Sequence, residues 1–303
     1  MSIQEHAAAL GAMLSGASVL RVSEPLERRT TLRVGGPADL YVEPASELDL
    51  SRVLGYCAEH QLPVLMLGRG SNLLVRDGGV RAVVICLVNT FFDRVEVSGM
   101  RLRCGAGAKL RVVANEARRH GLAGLEFLEG IPGSVGGALR MNAGAMGSWI
   151  LDVTESVRFM DRAGQVQERP GRELPARYRG CPFFRDHVAL AAVLKGEPAS
   201  SEQISVRMRT LSQRRWETQP SQPSAGCIFK NPAGIPAGRL IEELKLKGTR
   251  IGGAAVSTLH GNFIVNEGGA TARDVLALID LIRARAQAER GIELETEVEI
   301  VGE

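Results

Sequence analysis

Apolar positions recur at helical spacing over 3–17, 109–120, 200–216, 237–246 and 271–289, which predicts a helix over each segment. Another helix is expected from Ser46, which stands three residues before Asp49 as a capping box with Leu50 behind it. Short β-branched or alternating runs between these helices predict strands at 81–88, 152–161, 188–194, 251–256, 262–266 and 293–301. Pro63-Val-Leu-Met-Leu67 reads as a buried strand, and 31–44 as an extended segment closed by a proline. Residues 93–104 alternate on either side of Ser98-Gly99-Met100 and form a hairpin. The stretch 121–147 carries eight glycines yet is too apolar for a flexible linker, so it reads as an ordered region of loops and turns. The run from Thr218 through Pro220 and Pro223 to Gly226 is the clearest boundary in the chain, and no internal repeat is present.

Composition narrows the class. A chain of 303 residues exceeds the usual domain length and predicts two or three domains; 45% hydrophobic and 23% charged residues is a soluble globular balance. Glycine is the outlier, since 35 of 303 is about 12% against an average of about 7%. Only 2 Trp, 3 Tyr and 8 Phe are present, which argues against a stacking platform for nucleic acid. The combination favours an α/β fold with many tight turns close to a ligand. The net charge, 37 − 34 = +3, is too small for a polyanion-binding field. Five cysteines with no C-x-x-C pair, and no signal peptide, predict a reduced cytoplasm. The longest apolar run, Ala82–Val88, accommodates one strand and does not insert in a membrane. The five histidines are separated from one another, so no metal is expected.

Several segments carry candidate chemistry. Gly68-Arg69-Gly70-Ser71-Asn72-Leu73 closes a strand with a turn whose amides can converge on an anion; alone, it is equally a plain β-turn. It lacks the third glycine of a dinucleotide fingerprint and the Gly-Lys-Ser/Thr of a P-loop. The segment 129–138 follows, where Pro132 fixes one φ and Gly133, Gly136 and Gly137, with Val135 among them, permit close backbone approach to a flat ring and its pyrophosphate, with Ser134 and Asn142 as donors. Asn142 and Ala143 lie just beyond; helix packing through small residues also explains these glycines. Tyr178-Arg179-Gly180-Cys181 is too short to be specific, because Arg179 is one of 32 arginines. Ser224-Ala-Gly-Cys227-Ile-Phe-Lys230-Asn231-Pro enters a short strand, and a cysteine there is more often a small core residue than a nucleophile. Glu293, Glu295, Glu297 and Glu299 alternate on one face of the last strand, a pattern that a solvated edge also produces.

Taken in order, these elements resemble the UDP-N-acetylenolpyruvoylglucosamine reductase family. The resemblance rests on T-L-R-V-G-G-P-A (31–38), L-G-R-G-S-N-L-L-V (67–75), G-I-P-G-S-V-G-G-A (130–138), Y-R (178–179) and A-G-C-I-F-K-N-P (225–232). It continues through I-G-G-A-A-V (251–256), N-F-I-V-N (262–266) and E-T-E-V-E-I (295–300), covering nearly the whole chain beyond residue 25. It implies an α+β fold: an FAD-binding domain of the vanillyl-alcohol-oxidase/PCMH type in two subdomains (1–85 and 86–199) and a C-terminal α+β substrate-binding domain (200–303). It further implies that NADPH reduces non-covalently bound FAD held by the loops at 68–73 and 130–137, with Asn142 and Ala143. An enolpyruvyl UDP-sugar then takes up the hydride, in peptidoglycan precursor synthesis. Arg179 and Glu297 match the pair that stabilises the enolate. Tyr178, Arg214, Lys230, Asn231 and His260 match substrate positions, with Arg215 beside Arg214 as a second diphosphate candidate.

One departure stands out. The family's proton donor is usually a serine, and here the position is Cys227. A thiol with an ordinary pKa of about 8.5 is a stronger acid than a hydroxyl and can fill the role, provided it stays protonated until the enolate forms. Only eight residues separate Arg179 from Val188, which leaves no room for the tyrosine-bearing loop of the longer subfamily and implies the shorter, second type. A cytoplasmic monomer is expected. The alternative is an FAD-dependent alcohol oxidase or dehydrogenase of the same flavin-domain superfamily. Those enzymes often attach flavin through a histidine in the first glycine loop, where this chain has Arg69 and its nearest histidine is His60.

Overall fold

The computed structural model describes residues 1–303 and separates into two compact units, each discontinuous in sequence. The first comprises Met1–Val22, Asp39–Arg69 and Ala82–Arg214; the second comprises Ser23–Ala38, Gly70–Arg81 and Arg215–Glu303.

In the first unit, α1 (Ile3–Met13) and α2 (Glu47–Glu59) accompany most of a four-stranded sheet ordered Val19–Pro25, Pro37–Glu43, Val80–Cys86, Val64–Leu67. The last two strands run parallel, with Val64 opposite Val83. The strand 64–67 lies at the sheet edge, which is why Val64 is exposed and only Leu67 is buried, where the sequence predicts a buried strand. Ser46 does cap α2 by accepting from the Asp49 amide, but the reciprocal half of the capping box is missing. The buried Asp49 carboxylate instead accepts from the Ser15 amide (3.2 Å), the Ser15 hydroxyl (2.6 Å) and the Ser18 hydroxyl (3.0 Å).

A five-stranded antiparallel sheet follows, ordered Val166–Pro170, Thr154–Asp161, His187–Lys195, Arg101–Gly105, Val95–Ser98. Its strand 166–170 lies in what the sequence reads as a polar connection, since Gln167, Glu168 and Arg169 offer no apolar alternation to mark it. α3 (Leu110–Arg119) buries Leu110, Val113, Ala114 and Ala117 on one stripe. The glycine-rich stretch is not wholly loop: Val135–Met141 forms α4, because Gly136 lets the helix rest on Ala106. A Cβ at Gly136 would come within 3.1 Å of Ala106 Cβ. α5 (Ser201–Thr218) carries the chain onward, and one hydrophobic core runs from Leu10 through Leu50, Ile85, Leu102 and Val157 to Met208.

The second unit has its own core, built from Leu32, Leu74, Phe229, Ile241, Val256, Ile264, Leu278 and Ile282. α6 (Ala237–Glu243) and α7 (Ala272–Arg290) supply its helical residues. The sheet is antiparallel, ordered Ser224–Cys227, Phe263–Asn266, Ala254–Val256, Arg250–Ile251. A Thr271–Asp274 capping box starts α7, and Asp77 adds two bonds, accepting from the amides of Ala272 (2.8 Å) and Arg273 (2.9 Å). The expected strand 293–301 shrinks to Glu299–Val301, paired in parallel with Leu73–Val75. Residues 293–298 are irregular apart from a bridge between Thr296 and Phe229, so the four glutamates do not share a strand face. The predominance of antiparallel pairing makes the fold α+β rather than the α/β that composition favours.

Candidate active site

In the first unit the two glycine loops meet. A Cβ on Gly68 would stand 3.2 Å from Ser134 Oγ and 3.8 Å from Gly137 Cα, so the turn after strand 64–67 and the start of α4 adjoin without side chains between them. The Cys86 thiol donates to Gly68 O at 3.5 Å. The far side of the second loop is tied down: Leu110 N donates to Gly133 O (3.2 Å), Val135 N to Ala108 O (3.0 Å) and Gly136 N to Ala106 O (2.8 Å). Two of the amides that the sequence offers to a cofactor are therefore used within the protein. Two other groups are left over. Ser134 is buried, yet its hydroxyl does not cap α4. Arg69 Nε is buried and has no hydrogen-bond partner. A close-packed backbone surface with a half-buried arginine whose Nε has no partner, and a spare hydroxyl, fits an anionic, flat cofactor such as FAD.

Asn142 ends α4 in the left-handed conformation at φ +40°. Its amide donates to Arg177 O (3.2 Å) and accepts from Leu151 N (3.4 Å), so this side chain braces the loop ahead of Arg179. Ala143 likewise uses both backbone groups internally, its N–H on Ala138 O (2.8 Å) and its carbonyl on Ile150 N (2.9 Å). Arg177 and Gly180 exchange backbone hydrogen bonds around a tight turn that carries Tyr178 and Arg179. At the turn's tip Arg179 sits at φ +56°, a costly conformation for a non-glycine residue and one concentrated at functional sites. Its guanidinium donates to Gly144 O (3.3 Å) and lies 5.4 Å from the exposed Tyr178 ring. Arg214 is exposed on α5, the last residue of this unit.

The second unit holds the remaining predicted residues and laces three distant segments together. Gly70 takes φ +60°, and a Cβ there would lie 2.5 Å from Arg29 O. The Thr31 hydroxyl is within donating distance of Gly70 O (3.3 Å) and Ser224 O (2.7 Å), linking the first glycine loop to the strand of Cys227. Ser71 lies beside that strand as well, its carbonyl 3.9 Å from where a Gly226 Cβ would stand. Asn72 donates from Nδ2 to Glu297 O (3.1 Å), while Glu299 N donates to Asn72 O (3.1 Å). Leu73 opens the strand that pairs with Glu299–Val301. Glu297 N donates to Ile228 O at 2.8 Å, and Lys230 N to Glu295 O at 2.9 Å. Thus Cys227 and Glu297 lie on adjoining segments, fixed backbone to backbone.

Cys227 differs from the other cysteines. Cys57, Cys86, Cys104 and Cys181 are buried, whereas Cys227 is partly exposed. Burial pushes Cys57 up to about 11, Cys104 up to about 12, and Cys181 upward, so these thiols stay protonated core groups at neutral pH. Lys230 forms an ion pair with Glu295, which resolves the crowding that strict alternation would impose: Glu295 leaves toward its lysine while Glu297 is half-buried. Asn231 Oδ1 accepts from Ala237 N (3.0 Å) at the start of α6. His260 is held by Asn262 N donating to its Nδ1 (3.1 Å), and burial, aided by Lys247, lowers its pKa, favouring the neutral ring.

Sequence reasoning missed Asn262. Its side chain brackets Phe229, accepting from Phe229 N (2.9 Å) and donating to Phe229 O (2.8 Å), while its carbonyl accepts from Ile228 N (2.9 Å). Its only signal is its place in N-F-I-V-N, which does not say that a buried amide would pin the strand after Cys227.

The fold and these loops define a flavoprotein: residues 38–169 match the FAD binding domain family, and 219–301 match the C-terminal domain of UDP-N-acetylenolpyruvoylglucosamine reductase. Curated relatives match across nearly the whole chain. The UDP-N-acetylenolpyruvoylglucosamine reductase of Syntrophomonas wolfei is 41% identical over 286 residues, covering 94% of this chain and 95% of that protein. The Pelobacter propionicus enzyme of the same name is 45% identical over 287 residues, covering 94% and 96%. The crystal structure of the Thermus caldophilus reductase superposes with a TM-score of 0.80 at 38% identity, over 94% of this chain and 99% of that one. The chain belongs to the UDP-N-acetylenolpyruvoylglucosamine reductase family. No helix is long and apolar enough to cross a membrane.

Proposed function

We propose that the chain is an NADPH-dependent reductase that converts the enolpyruvyl ether of UDP-N-acetylglucosamine to UDP-N-acetylmuramate, with FAD as its non-covalent cofactor. The carrying observation is the second unit's arrangement: a partly exposed thiol, Cys227, one residue before Ile228, whose carbonyl accepts from Glu297 N at 2.8 Å. The full-length match to reductases of that name supports the same reading.

Bound FAD supplies hydride chemistry between NADPH and the substrate, and the loops at 68–73 and 130–137, with Asn142 and Ala143 behind them, are the proposed binding residues. A hydride gained at the terminal carbon of the enol ether leaves an enolate beside the substrate carboxylate. Arg179 contributes a cation to that charge, and Glu297 contributes an acid; the strained turn holding Arg179 supports a preorganised role. Cys227 gives its proton to the enolate carbon and is left as a thiolate, to be reprotonated from solvent. Tyr178, Arg214, Lys230, Asn231 and His260 are the proposed substrate contacts. Division of labour follows the segments 1–85 and 86–199 for FAD and 200–303 for substrate. The short run from Arg179 to the strand at His187 supports the shorter, second subtype, and a cytoplasmic monomer completes the reading.

Turnover of the enolpyruvyl sugar nucleotide with NADPH tests this. Cys227→Ser should retain activity and Cys227→Ala should lose most of it while keeping its flavin. Normal turnover by the alanine variant would remove Cys227 from the reaction.

A further inference from the structure

The turn that carries Arg179 is held from outside by the end of α4. Within the turn, Arg177 N donates to Gly180 O (2.8 Å) and Gly180 N to Arg177 O (3.3 Å), which closes the loop but does not place it. Bonds to residues 140–144 place it. Cys181 N donates to Arg140 O (2.8 Å) on one side, and Asn142 Nδ2 donates to Arg177 O (3.2 Å) on the other. The Arg179 guanidinium itself donates to Gly144 O (3.3 Å). A left-handed helix end at φ +40° suits glycine at least as well as asparagine, so the cap alone does not call for a side chain at 142. What asparagine adds is its buried amide, which spends Nδ2 on Arg177 O and Oδ1 on Leu151 N (3.4 Å).

We propose that Asn142 is a positioning residue for Arg179: its amide holds the base of the turn, and so the guanidinium, where charge develops in the second half of the reaction. The proposal rests on the reading that Arg179 stabilises the enolate. Arg179 keeps φ +56°, a conformation that persists only where the surroundings impose it, and the Asn142 bond is part of what imposes it. Because α4 begins in the second glycine loop and ends at these bonds, one helix sets both that loop and the cation. Reduction of flavin by NADPH forms no enolate and makes no use of Arg179. Hydride uptake by the enolpyruvyl substrate does, so the two half-reactions should respond differently when the amide is removed.

The test follows flavin absorbance by stopped flow in each half-reaction, with the full-length chain saturated with FAD so that cofactor affinity does not enter the rates. Asn142→Gly removes the amide and suits the left-handed helix end. It should slow reoxidation by the enolpyruvyl UDP-sugar roughly 10- to 100-fold, the loss expected from a misplaced catalytic group, while bleaching by NADPH stays within about threefold. Asn142→Asp keeps an acceptor for Leu151 N but sets a carboxylate oxygen against Arg177 O, and should be slowed in the same step. In an Arg179→Ala background, Asn142→Gly should slow reoxidation by less than about threefold more, because an effect that passes through Arg179 is already lost. Equal slowing of both half-reactions, normal reoxidation in either Asn142 variant, or a full further loss in the Arg179→Ala background would each overturn the proposal. Arg179→Ala reoxidising at the parent rate would instead remove the enolate reading, and the positioning role with it.

Discussion

Replacing Asn262 with alanine isolates what holds the Cys227 strand in place. Asn262 is 3% exposed and Phe229 is 1% exposed, so water does not reach the groups that the substitution frees. Two bonds are lost, Phe229 N to Oδ1 (2.9 Å) and Nδ2 to Phe229 O (2.8 Å), leaving one buried donor and one buried acceptor unsatisfied. Each such group costs about 1–3 kcal/mol, or about 2–6 together before the strand relaxes. A net loss of about 2–4 kcal/mol is expected, against a total stability of about 5–15. Urea unfolding followed by circular dichroism and tryptophan fluorescence measures it. Asn262→Asp serves as control: it can accept from Phe229 N but sets a carboxylate oxygen against Phe229 O. It should be at least as destabilising as alanine at pH 7 and recover part of the loss once protonated. Because Phe229 lies two residues beyond Cys227, kcat should fall while FAD affinity is unchanged. An alanine variant within 0.5 kcal/mol of the parent would refute this account of the clamp.

Thiol alkylation of the native chain should modify Cys227 first, since the other four cysteines are buried and those at 57, 104 and 181 have raised pKa values; mass spectrometry after brief iodoacetamide treatment reads the site. Gly70→Ala should cost more than about 2 kcal/mol, from a left-handed φ of +60° and a Cβ 2.5 Å from Arg29 O, seen as a lowered melting temperature. At Asp49, burial pushes the pKa up but the hydrogen bonds from Ser15, Ser18 and Ser46 outweigh it, leaving the carboxyl below its ordinary value. The folded chain then binds this proton less readily than the unfolded one. Its stabilisation is present above the unfolded pKa of about 3.9 and lost as pH falls through the lower folded value. The stability gap between the parent and Asp49→Asn should accordingly close as pH falls below the unfolded pKa of about 3.9 and through the lower folded value in denaturant titrations.

Local signals were the legible part of the fold. α2 and α7 begin where Ser46 and Thr271 stand, and the 95–105 hairpin turns at Gly99, because caps and turns act within a few residues. Signals that depend on partners were not legible. The period-two glutamates at 293–299 look like a strand, but the Lys230 ion pair and the amides of Glu297 and Lys230 hold that segment as an irregular bridge to residues 228–230. The approach of α4 to Ala106 at Gly136, and the burial of Arg69 Nε, depend on packing that no spacing rule encodes. In the candidate site, the ordered motifs carried the family, whereas the ties among Thr31, Asn72, Ile228 and Glu297 join positions up to 225 residues apart, as Asn72 and Glu297 are.

The central claim is tested most directly by following the visible flavin absorbance of the purified enzyme under anaerobic conditions. NADPH should bleach the flavin, and the enolpyruvyl UDP-sugar added next should restore its absorbance with formation of UDP-N-acetylmuramate. In Cys227→Ala the bleaching should be intact and the product lost. A parent flavin that NADPH bleaches but this substrate does not reoxidise would contradict the account.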